Sequence, residues 1–152
     1  GITLFALPLI VLGPPGGRLA QVHGPFRISA IGLMLGAFFM SMYGILPTGT
    51  WIFAVAMVHA IADGITVSSS GDAVGRVIPE DRQAGAQGGL GAAQALSAGI
   101  MAVITAMLYD NFGRTTAYLV CATVMVALVA VGAWLARSAW SLKRPLHVEP
   151  TP

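Results

Sequence analysis

Residues 51–71 read WIFAVAMVHAIADGITVSSSG: twenty-one residues, mostly apolar, with a single acid, Asp63. A helix needs about 20 such residues to cross the roughly 30 Å hydrocarbon core of a bilayer. Three more stretches have the same character and no charge: 28–46, 88–109 and 115–136. The opening block 1–12 is apolar but too short to span alone. The runs are long and continuous, without the alternation of barrel strands. Within lipid the backbone must then satisfy its own polar groups as helix. The expected fold class is all-α integral membrane: a bundle of four full spans plus one truncated span.

Composition agrees. The chain of 152 residues is 56% hydrophobic and 9% charged, whereas an average soluble domain is about 25% charged. A soluble domain of this length buries only about 70% of its unfolded surface, too little to hide so much apolar area. A net charge of +2 with no basic run and no interleaved aromatics excludes a nucleic-acid partner. Cys121, the single cysteine, lies in an apolar run and cannot form an internal disulfide. The chain begins at Gly1 without a charged leader, so no signal peptide is expected. The start reads as a truncation, and the chain as the C-terminal piece of a longer protein.

The connections alternate in charge. Arg18 and Arg27, Arg76 and Arg82, and Arg137, Lys143 and Arg144 fall on one side; Arg114 falls alone on the other. The positive-inside rule places the seven in the cytoplasm. The expected protein is multi-pass in the plasma or inner membrane, with a cytoplasmic tail, 137–152, that is disordered by its prolines and mixed polarity. Trp51, Tyr109 and Trp134 sit near span ends, as interfacial aromatics do. Small residues mark two faces for close helix packing. One is Gly32 and Gly36. The other is Gly85 and Gly89, continued by Gly88, Gly91, Ala92, Ala95 and Gly99, and its run is the longer. Pro8 and Gly44 are expected to bend their helices.

Only two ionisable groups fall inside a span, His59 and Asp63. Four residues apart, they share a helix face that Thr66 and Ser70 extend. A charge at mid-bilayer costs about 2.5–3.5 kcal/mol on insertion scales. The stripe His59, Asp63, Thr66, Ser70 must therefore face protein or a water-filled path. Asp63, helped by His59, is the candidate for proton uptake and release or for meeting a cationic substrate. The alternative is an Asp63 wetted near the cytoplasmic end, or capping a neighbouring helix. Gln87, Gln94 and Thr105 lie near one face of the fourth stretch; Gln94 is a candidate for substrate contact or for a bond to another helix.

Other chemistry is not indicated. Gly88–Gly91 lacks the strand and acidic partner of a dinucleotide site. His23, His59 and His147 lack zinc-ligand spacing, and Ser68–Ser70 have no adjacent base. No metal, cofactor or catalytic residue is expected, and the chain is not read as an enzyme.

The basic turn Gly17-Arg18-Leu19-Ala20-Gln21-Val22-His23-Gly24-Pro25-Phe26-Arg27 resembles a loop motif of the major facilitator superfamily, roughly Gly-x-Leu-Ala-Asp-Arg-x-Gly-x-x-Arg. That motif lies between the family's second and third helices and recurs, weaker, between the eighth and ninth. Gly17, Leu19, Ala20, Gly24 and Arg27 match it. Gln21 and Val22 stand where the motif has Asp and Arg, which suits the second copy and leaves an Asp-dependent latch unsupported. Residues 76–88 look like the loop between helices ten and eleven, and 109–114 like the outer loop before helix twelve. The resemblance implies helices eight to twelve of a transporter that works by alternating access, closest to the drug/proton-antiporter-like and sugar-efflux-like branches. It implies that the helix bearing Asp63 lines a central cavity, that Gly17, Gly24 and Arg27 shape a hinge, and that the missing N-terminal half is the main partner. Proton-coupled export of a small organic solute is the expected function. The alternative is a multi-span subunit of a membrane complex, or a membrane enzyme without a visible catalytic motif.

Overall fold

Two prolines and two glycines divide the chain. The computed structural model describes residues 15, 17–47 and 49–141, nearly all helical. The apolar block 1–12 with Pro8, and the tail beyond Ser141 with Lys143, Arg144 and His147, lie outside the described residues. Residues 17–23 are helical. Helix α1 follows, Pro25–Ile45, then α2, Gly49–Val77, and α3, Glu80–Leu135. A short 3-10 helix, Ala136–Ser141, closes the described chain.

The stretch expected as a loop at Gly17–Arg27 is mostly helix. The break is confined to Gly24, whose φ of 91° suits only glycine, and Pro25 opens α1, where its missing N–H is no loss. Leu46 precedes Pro47 and is extended, which ends α1.

The connection expected over 72–87 shrinks to Ile78 and Pro79. Hydropathy stops at the first charges, but helix geometry continues past them. Asp72 and Arg76 form a 2.9 Å ion pair at i,i+4, a spacing that exists only on a helix. Arg76 in the last turn of α2, and Glu80 and Asp81 in the first turn of α3, suit the helix dipoles. Gln83 donates to the Ile78 carbonyl at 3.1 Å and the Gly75 carbonyl at 3.3 Å, covering the end of α2.

Helix α3 doubles back at Gly113, at φ 80° and ψ 170°. Thr105 Oγ1 and Cys121 Sγ, eight residues either side of it, are 3.1 Å apart. In a straight helix sixteen residues would separate them by about 24 Å. The two limbs, 80–112 and 114–135, are a helical hairpin, each long enough to cross a membrane.

Arg114, the single cation on the other side, has a structural use. Its guanidinium donates to the Leu46 carbonyl at 2.6 Å, and Thr115 donates to the Gly44 carbonyl at 2.8 Å. Both satisfy carbonyls that the end of α1 leaves open, and the cation suits the negative end of its dipole. Gly44 has a packing use. It lies under the second limb, where a Cβ would come 3.2 Å from both the Thr115 carbonyl and Tyr118 Cβ.

Helix α1 is the hub, packed against α2 on one side and α3 on the other, while α2 and α3 touch little. The buried residues are mostly small: Ala20, Ala37, Ala62, Ser69, Ala73, Ala117, Cys121 and Ala122. Large apolar side chains such as Phe38, Phe53, Leu96, Met107 and Leu128 point outward. Water would drive the opposite arrangement. With lipid as the solvent, close approach of small residues holds helices together and large side chains face the chains of the bilayer. Trp51, Tyr109 and Trp134 are exposed at helix ends, and Arg137 stacks over the Trp134 ring at 5.1 Å.

Candidate functional site

Trp51 and Asp72 bracket α2 by about 32 Å, close to the thickness of a bilayer core. Asp63 lies between them and is also the central residue of Gly49–Val77. Asp63 caps no neighbouring helix; among the described residues its near partner is His59, with Nε2 to Oδ1 at 3.5 Å. The two side chains differ sharply in surroundings: His59 is 16% exposed and Asp63 61%. The carboxylate sits on the open flank of α2, the imidazole inside the α1–α2 contact.

Two members of the stripe, His59 and Thr66, are used in helix packing. Gly36 of α1 lets His59 approach; a Cβ there would meet His59 Nε2 at 3.5 Å and Met125 Cε at 2.9 Å. Gly32 leaves the room that Thr66 fills, and a Cβ at Gly32 would collide with Thr66 Oγ1. Thr66 and Ser70 return their hydroxyls to the Ala62 and Thr66 carbonyls at 2.8 Å each, a common way to satisfy such groups inside a helix. The stripe thus faces protein on its His59–Thr66 side and stays open at Asp63.

A residue that the periodicity did not single out completes the site. Tyr43 Oη lies 2.9 Å from His59 Nδ1 across the α1–α2 contact. The imidazole is flanked by the Phe39 ring at 5.3 Å and the Tyr43 ring at 5.6 Å. Tyr43 also meets Tyr118 of the second limb edge-on at 5.9 Å. One tyrosine in an apolar helix carries no periodic signal. Its position seven residues after Gly36, two turns along the same face, was the available hint.

The candidates on α3 share one face of the first limb but have separate surroundings. Gln87 donates to the Gly71 carbonyl of α2 at 3.2 Å, Thr105 meets Cys121, and Gln94 is exposed with no hydrogen-bond partner among the described residues. The glycine run preferred for packing is likewise uncovered: nothing lies within 4 Å of a Cβ built at Gly85, Gly88, Gly89, Gly91 or Gly99. An apolar cavity of about 630 Å³ lies among α1, α2 and both limbs of α3. Ser70 lines it, with Ser29, Thr105 and Cys121 as its other polar groups; His59 and Asp63 do not. In the loop motif, Gly24 makes the break, Arg18, Leu19 and Arg27 are exposed, and nothing lies near a Cβ built at Gly17. Among the described residues no group of three or more His, Cys, Asp or Glu could hold a metal.

Long apolar helices with a small-residue interior and an acid at mid-span define a multi-pass membrane protein. Residues 1–151 match the family model of the Major Facilitator Superfamily, and the chain belongs to that family of membrane transporters. No curated protein and no solved structure matches it at a significant level.

Proposed function

We propose that this chain is most of the second half, helices eight to twelve, of a secondary transporter, working as a proton-coupled antiporter that exports a small organic solute by alternating access. The observation that carries the reading is Asp63: a carboxylate at the middle of α2, open on its flank and 3.5 Å from a histidine. An ionisable group at mid-bilayer is expensive and marks an ion or substrate path. Inverted-repeat transporters bind at the midplane, between halves that rock against each other. The missing N-terminal half supplies the opposing wall, and the exposed Gln94 is a candidate contact with solute or with that half. The cation asymmetry supports a cytoplasmic C-terminus in a plasma or inner membrane.

The test is flux in proteoliposomes holding the full-length protein, driven by a pH gradient, across a panel of small organic cations and neutral solutes. Asp63→Asn is expected to abolish gradient-driven flux while leaving solute binding measurable. Full proton-coupled transport by Asp63→Asn sinks the reading.

A further inference from the structure

We propose that Tyr43 is a positioning residue for the His59–Asp63 pair: its hydroxyl donates to Nδ1 and so holds the neutral imidazole with its proton on Nε2, facing Asp63. The inference rests on the reading of that pair as the proton site.

The argument is one of satisfying donors and acceptors. A neutral imidazole has one donor and one acceptor nitrogen, an ionised carboxylate only accepts, and a phenol does either. Nε2 faces the Asp63 carboxylate at 3.5 Å, and Nδ1 faces Tyr43 Oη at 2.9 Å. With Asp63 ionised, a proton on Nδ1 would turn the Nε2 lone pair toward a negative oxygen. A proton on Nε2 leaves Nδ1 to accept, and the phenol then has to donate. That is the one arrangement in which all three groups are matched. The rings of Phe39 and Tyr43 hold the imidazole plane, and Gly36 leaves the space it occupies.

The arrangement also ties proton uptake to helix packing. The titratable groups around the imidazole are Asp63 on its own helix, Tyr43 on α1, and Tyr118, which reaches it through Tyr43 from the second limb. If the pair gains a proton on His59, Nδ1 becomes a donor and the Tyr43 oxygen must accept. If Asp63 gains it and donates to Nε2, the imidazole proton moves to Nδ1 with the same consequence. In both cases the Tyr43 hydroxyl reverses direction. A proton taken up on the open flank of α2 therefore changes a bond to α1, the hub of the bundle.

The experiment uses the full-length transporter in bilayers with 15N-labelled histidine. His59 is assigned by difference against His59→Gln and observed by solid-state NMR where the imidazole is neutral. The expected result is a protonated Nε2 and an unprotonated, hydrogen-bonded Nδ1. Tyr43→Phe keeps the ring but removes the donor; it is expected to lose the hydrogen-bonded Nδ1 signature and admit the second tautomer. Proton-driven flux should fall about tenfold, the worth of one hydrogen bond to the site. A neutral His59 protonated on Nδ1 in the unmodified protein overturns the proposal, even if Tyr43→Phe fails to fold. So does a Tyr43→Phe variant with unchanged nitrogen signals. The NMR result does not depend on transport, so it separates this proposal from the assignment of Asp63 as the proton carrier.

Discussion

Helix α1 and the first limb of α3 are both rich in small residues, yet only one uses them against this chain. In α1, Gly32, Gly36 and Gly44 each sit under a neighbour: Thr66, Met125 with His59, and Thr115 with Tyr118. In the limb 80–112, the glycines from Gly85 to Gly99 meet nothing among the described residues. A small-residue face states that a backbone can be approached closely. It does not state by what. The longer run looked the stronger packing signal, and it is the pair Gly32 and Gly36 that packs.

The comparison breaks most visibly at Gly32. Gly32→Leu is expected to destabilise by about 3 kcal/mol or more, since the added side chain must displace Thr66 in a tight contact. Gly89→Leu, the same change on the open face, should alter bundle stability by under about 0.5 kcal/mol. Thermal unfolding of the two variants in detergent checks both, and equal losses would remove the distinction. Arg114→Ala tests the other end of α1: it leaves the Leu46 carbonyl without its cationic donor, with an expected loss of about 1–2 kcal/mol. Little change in Tm would show that water replaces the guanidinium freely. A smaller loss than that of Arg114→Ala belongs to the hairpin. Thr105→Val removes the contact to Cys121 while nearly keeping shape, and about 0.5 kcal/mol is expected. A loss as large as that of Arg114→Ala would mean the hairpin depends on that contact.

Much of the fold was legible because hydropathy is a property of each residue. The stretches 28–46, 51–71, 88–109 and 115–136 fall on described helices. Their ends were less legible. A span ends where charge begins, but a helix ends where its hydrogen bonding is interrupted. Asp72 and Arg76 are charged and still helical, and Pro79 sets the break. The i,i+4 spacing of that pair was a signal available in the sequence. His59, Asp63, Thr66 and Ser70 were recognisable as one face because helical periodicity is local. Tyr43 was not, since its relation to His59 spans two helices.

The sequence by itself determined that this chain is helical, lies in a membrane, and carries one acid and one histidine in a span. Those follow from the transfer energies of individual residues and from a backbone that must bond to itself in lipid. Tertiary structure decided which glycines pack, that Arg114 closes the end of α1, and that His59 is held by Tyr43 while Asp63 stays open. Each of these depends on which helix lies beside which, and close contact between helices is a property of pairs that no single stretch contains.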